Sequence, residues 1–134
     1  MYQDFLILGG AGLVGLQVCR HIMMSMQPKK IVVASLFEHE AQKACEILTK
    51  EFGSNVTFTP EWGNLFVPSD LAGVSRGELI QDNEKRRRLL KSLYDDFEAA
   101  YEDNHLAQII QRHKPHAIVD LSLIHISEPT RHRR

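Results

Sequence analysis

The chain has 134 residues, 43% of them apolar and 25% charged, with a formal charge of −1. That size admits one domain with a real core, and the composition is that of a folded chain rather than a disordered one. Near-neutral charge gives no electrostatic reason to expect a nucleic-acid partner, the apolar runs are too short to cross a bilayer, and no signal peptide is expected ahead of Tyr2. The two cysteines, Cys19 and Cys45, fall at inward-facing helical positions and are expected to be buried free thiols of a cytoplasmic protein.

DFLILGG (4–10) is a short apolar run ending in glycine, the pattern of a fully buried parallel strand. Residues 13–26 read as a helix with Val14, Val18, Cys19 and Ile22 on one face, ended by Pro28. KKIVVAS (29–35) is a second buried strand, rich in β-branched residues. FEHEAQKACEILTKEF (37–52) is an amphipathic helix with Ala41, Ala44, Cys45 and Leu48 inward, and the acids of EHE (38–40) suit the positive end of its dipole. GSN makes a turn, and VTFTPEW (56–62) a third strand. Alternation of this kind predicts an α/β fold with a parallel sheet.

Residues 63–82, with Pro68, Gly73 and Gly77, read as a loop, and 83–101 as a charged helix with Leu90, Leu93, Tyr94, Phe97 and Tyr101 in one core-facing stripe. EKRRR (84–88) is expected to be a solvated face balanced by Asp95, Asp96 and Glu98 rather than a phosphate site. HLAQIIQRHKPHAIVD (105–120) reads as a helix, a break at Pro115 and a fourth buried strand.

LSLIHISEPTRHRR (121–134) departs from the pattern, since a strand of a parallel unit should lead into a loop and another helix. LSLIHISEPTR is similar to the conceptual translation of a transposase-type sequencing adapter. Residues 121–134 are therefore expected to be a non-native tail, with authentic sequence ending at Asp120. Leu121, Leu123, Ile124 and Ile126 are apolar enough to prolong the last strand as far as Pro129.

The stretch with chemical content is FLILGGAGLVG (5–15). Gly10, Gly12 and Gly15 fit G-x-G-x-x-G, while Gly9, Gly12 and Gly15 fit G-x-x-G-x-x-G. Because the motif follows a buried strand and opens a helix, it predicts a phosphate cradle. Gly9 would turn the chain, Gly12 would admit a pyrophosphate to the backbone, and Gly15 would let the helix pack closely. The N–H groups of Leu13 and Val14 would then face the phosphates at the positive end of the helix dipole.

ILGGAGLVG resembles the N-terminal fingerprint of the extended short-chain dehydrogenase/reductase superfamily, in its NAD-dependent epimerase/dehydratase group. WGNLF supplies Gly63, Asn64 and Leu65 where that family has a Gly-Asp-Leu motif approaching the adenine, with Asn64 in place of the acid. LAQIIQRHKPHAIVD is similar to the family's helix, turn and fourth strand. The resemblance spans residues 4–120 apart from 67–101. It implies a Rossmann-type doubly wound parallel sheet, truncated after about the fourth strand, with residues 1–120 as an incomplete NAD(P)-binding domain carrying a helical insertion at about 67–101. It also implies NAD or NADP as cofactor and, in a longer parent, a small-molecule substrate such as a nucleotide sugar and a homodimer.

Two departures bear on function. NAD-specific members carry an acid about 20 residues past the last glycine, on the adenosine ribose. Ser35 stands there, with Glu38 as the nearest acid; a hydroxyl also suits a 2′-phosphate, so NAD and NADP stay open with a lean to NADP. The family's Tyr-x-x-x-Lys is not matched, because Tyr2, Tyr94 and Tyr101 have Leu6, Glu98 and His105 four residues on. The pair follows the fifth strand in relatives, so the catalytic residues are expected beyond Asp120 and are unassigned. His113 and His116 flank Pro115 without a third ligand, so no metal is expected, and no G-x-S-x-G nucleophile motif occurs. The readings that remain are the cofactor-binding portion of an NAD(P)-dependent oxidoreductase or sugar-nucleotide epimerase/dehydratase-like enzyme, a non-catalytic NAD(P)-binding redox sensor, and an interaction domain with a vestigial loop. Fold alone does not choose among them.

Overall fold

A computed structural model describes residues 3–65, 67–91 and 104–121. They fall into two compact units, one running to Trp62 and resuming at Pro115, the other Gly63–Lys114.

The first unit is built as β1 (Asp4–Leu8), α1 (Leu13–Met26), β2 (Lys30–Ser35), α2 (Glu38–Phe52), a 3-10 turn (Gly53–Asn55), β3 (Thr57–Trp62) and β4 (Ala117–Asp120). All pairings are parallel, in the order β3-β2-β1-β4. This is a Rossmann-like α/β sheet, and its winding reverses at β1. The two middle strands carry continuous apolar runs because both of their faces are covered: Leu6, Ile7, Ile31, Val32, Val33 and Ala34 are all buried. β3 tolerates Pro60 because, among the described residues, it pairs with β2 alone.

One face of the sheet, made by Phe5, Ile7, Ile31, Val33 and Phe58, packs against Cys19 and Ile22 of α1 and Ala44, Cys45 and Leu48 of α2. Fully burying a side chain such as Leu48 contributes about 1.5–3 kcal/mol. The inward residues of α2 are those its periodicity predicts. In α1 the buried set is Gly15, Cys19 and Ile22, whereas Val14 is 59% exposed in the first turn. The stripe starts one residue later because Gly15, with no side chain, is what faces inward there. Arg20 of α1 clasps Glu51 of α2 through two hydrogen bonds, Nε to Oε2 at 2.9 Å and Nη2 to Oε1 at 2.6 Å.

β4 is half-buried rather than buried, with Ile118 46% exposed, because it pairs only with β1 among the described residues. His116 anchors its start: its backbone N–H donates to the Asp4 carbonyl, and its Nδ1 accepts from the N–H groups of Gln3 and Asp4 at 3.1 Å each. The Leu121 N–H donates to the Leu8 carbonyl, one residue past the strand. The prolongation expected through Leu123, Ile124 and Ile126 lies outside the described residues.

The second unit contains a 3-10 turn (Ser69–Leu71), α3 (Arg76–Gln81), α4 (Asn83–Leu90) and α5 (His105–His113) around Val67, Leu71, Ala72 and Leu79. The sequence reading of 63–82 as a loop missed α3. Its signal is Ser75 followed three residues on by Glu78, whose N–H the Ser75 hydroxyl accepts, and Gly77 in the first turn disguises it. The basic run on α4 is balanced from before it in sequence: Lys85 pairs with Glu78 and Asp82, and Arg88 with Asp70. Leu90, expected to start a core-facing stripe, is 47% exposed at the end of α4. The expected partners Asp95, Asp96 and Glu98, and the rest of the stripe from Leu93 to Tyr101, lie outside the described residues.

Candidate dinucleotide-binding turn

The four glycines at the β1–α1 junction, Gly9, Gly10, Gly12 and Gly15, each carry a distinct geometric demand. Gly9 has φ +77°, a left-handed conformation that ends the strand at Leu8, two residues earlier than its apolar run suggests. The N–H groups of Gly9 and Gly10 both donate to the Ala34 carbonyl, at 2.9 and 3.2 Å, which pins the turn to the carboxyl end of β2. A Cβ on Gly10 would press on Ile7 and Val33 at 3.0–3.1 Å. A Cβ on Gly15 would stand 2.4 Å from the backbone of Gly10. Gly12 is the opposite case, with nothing within 4 Å of where its Cβ would lie. Both overlapping spacings are therefore used. Gly9, Gly10 and Gly15 shape the turn, and Gly12 leaves space in front of it. Gly10, absent from the G-x-x-G-x-x-G reading, is a packing glycine.

Gly12 caps α1 with extended backbone and no side-chain hydrogen bond, and no acid occupies the first turn. The first helical bond runs from the Leu16 N–H to the Gly12 carbonyl, at 2.9 Å. The N–H groups of Leu13 and Val14 thus belong to the open first turn of a 14-residue helix, and their side chains are 77% and 59% exposed. Such an end favours an anion. The turn also sits where the sheet's winding reverses between β1 and β4, the position at which open α/β sheets form a crevice.

At the end of β2, half-buried Ser35 donates its hydroxyl to Glu40 Oε1 at 3.2 Å. The acid nearest in sequence, Glu38, instead accepts from Gln42 Nε2 one helical turn on, at 3.1 Å. Glu40 is the partner of Ser35 that sequence reasoning missed. Its only signal was the phase of α2, which returns residue 40 toward the strand end. Phe37 is 53% exposed and stacks on His39, with ring centroids 5.9 Å apart, and Trp62 on β3 is the register partner of Ser35.

Asn64 and Leu65 belong to the second unit. There the Asn64 N–H donates to the Ala72 carbonyl at 2.8 Å, the Leu65 carbonyl accepts from the Leu106 N–H at 3.0 Å, and the Leu65 side chain is buried. Gly63 has φ +112°, and a Cβ on it would meet Ala72 and His105 at 3.1 Å. These contacts give the segment a folding role within its own unit. A shallow groove along α4, lined by Asn83, Arg86, Arg87, Leu90 and Lys91, shares no residue with the turn. Among the described residues, no three His, Cys, Asp or Glu side chains group as metal ligands, and no helix is long and apolar enough to cross a membrane.

No protein-family profile and no curated protein matches the chain. It is similar to a solved structure, the X-ray structure of Pen from Bacillus thuringiensis, at 18% identity and a TM-score of 0.41. The similarity covers 89% of this chain and 37% of that one, so this chain spans well under half of that protein's length.

Proposed function

We infer that the chain is an NAD(P)-binding module, the cofactor-holding portion of an NAD(P)-dependent oxidoreductase or sugar-nucleotide epimerase/dehydratase-like enzyme acting on a small molecule in the cytoplasm, with a homodimeric parent. The observation that carries this reading is Gly12. It lies at the uncapped start of α1 with open space before it, in a turn whose other glycines are held against backbone and core. A pyrophosphate would take its hydrogen bonds from the N–H groups of Leu13 and Val14, and the helix dipole would favour its charge. The dinucleotide, when bound, supplies hydride-transfer chemistry, and the residues named here bind and orient it. Calorimetric titration of the chain with NAD and NADP tests the reading. Saturable binding of either supports it, and a folded chain that binds neither overturns it.

A further inference from the structure

We propose that the Ser35–Glu40 couple makes this site select NAD against NADP. The proposal rests on the dinucleotide reading of the β1–α1 turn. That turn is fixed to the end of β2 by the two hydrogen bonds from Gly9 and Gly10 to Ala34, the residue immediately before Ser35. A dinucleotide whose pyrophosphate lies on α1 therefore brings its adenosine ribose toward the end of β2. The Ser35 hydroxyl is committed as a donor to Glu40 Oε1, so what the couple offers a ligand is acceptor capacity: a lone pair on Oγ and the carboxylate of Glu40. Glu40 makes no ion pair among the described residues; the cation nearest to it in sequence, Lys43 one turn along α2, is not paired with it.

A ribose with free 2′- and 3′-hydroxyls is a donor and matches that pair. A 2′-phosphate is an acceptor carrying roughly −1.5 to −2 charges, and it would meet a carboxylate instead. To donate to the phosphate, Ser35 would have to release Glu40 and leave two anions facing each other. The hydroxyl at position 35, which in the sequence suits a 2′-phosphate, thus works in the opposite direction. Glu40 takes the part that an acid on the strand itself plays elsewhere, and Ser35 positions it.

The test is calorimetry on the full chain with NAD, NADP, 5′-AMP and 2′-phospho-AMP, comparing wild type with Glu40→Gln, Glu40→Arg, Ser35→Ala and Glu38→Gln. Wild type should bind NAD at least about tenfold more tightly than NADP, with the same order for the two mononucleotides. Glu40→Gln should bring the ratio to within about threefold, and Glu40→Arg should invert it. Ser35→Ala should narrow it, and Glu38→Gln should leave it in place. Equal or tighter NADP binding in wild type, or a ratio unmoved by both Glu40 substitutions while NAD still binds, overturns the proposal and leaves the turn reading intact. Loss of all nucleotide binding in wild type with a native circular-dichroism spectrum overturns both.

Discussion

Gly15 and Gly10 approach so closely that a Cβ on the former would lie 2.4 Å from Cα, C and O of the latter. The obstructing atoms are backbone, held from the other side by the Gly10 N–H bond to Ala34. Neither side can yield without lifting α1 from the sheet. Gly15→Ala is therefore expected to destabilise the protein by about 3 kcal/mol, the upper end of ordinary overpacking. The urea midpoint should fall accordingly, whether or not nucleotide is present.

Gly12 should give the reverse signature. Its Cβ position is empty, so Gly12→Val should leave the unfolding free energy, measured in urea, within about 1 kcal/mol of wild type, the scale of an N-cap change. Nucleotide affinity, measured by calorimetry, should fall at least about tenfold, because the added methyls occupy the space before the Leu13 and Val14 N–H groups. A Gly12 variant that binds as wild type would remove the phosphate from this turn.

The contrast between these two glycines marks how far the sequence could be read. The positions of strands and helices, and the parallel sheet, follow from apolar runs and periodicity, as with Ile31 to Ala34 and with Ala41, Ala44, Cys45 and Leu48, whereas the doubly wound arrangement of the strands was implied by the family resemblance. That glycines would shape the β1–α1 turn was equally legible, since no other residue suits a turn of that kind. The partner of Ser35 was not. Distance along the chain favoured Glu38, whereas rotation of α2 turns that residue along the helix toward Gln42 and presents Glu40 instead. Nor was the burial of Leu65 legible, in a segment whose backbone is tied to a residue far along the chain, Leu106. The helix α3 was concealed by Gly77, although its Ser75–Glu78 cap was in plain sight.

The α1–α2 clasp predicts an acid-sensitive contribution to stability. Its hydrogen bonds from Arg20 hold the Glu51 carboxyl below the usual carboxylate range. A group lowered in the folded state stabilises above its unfolded value, and that contribution is lost as pH falls through the folded one. The melting temperature should thus drop between about pH 6 and pH 3 by more in wild type than in Glu51→Gln, measured at constant ionic strength. Equal drops would show that the clasp, exposed as it is, adds nothing measurable.

Burial pushes the thiols of Cys19 and Cys45 up to about 11 and about 12. Both are free and lie in the core between α1, α2 and the sheet. Since the thiolate is the reacting form, neither should be modified by iodoacetamide at about pH 8 in the folded protein, with rates at least about 100-fold below those in urea. Rapid alkylation of either under native conditions would mean that the core of the first unit opens readily.

The end of α1 offers a stabilising substitution. Gln27 closes the helix at φ +49°, ψ +59°, immediately before Pro28. A left-handed residue after a helix lets the final carbonyls find donors, but for a side chain other than glycine the conformation costs roughly 1–2 kcal/mol. Gln27→Gly removes that cost and adds about 0.4–1 kcal/mol of unfolded-state entropy in opposition. The net expectation is a gain of roughly 0.5–1 kcal/mol, read as a raised urea midpoint at unchanged m-value. Gln27→Val, β-branched and poorly suited to this conformation, should lower the midpoint instead. If both substitutions move the midpoint in the same direction, the left-handed geometry at residue 27 is not what limits stability there.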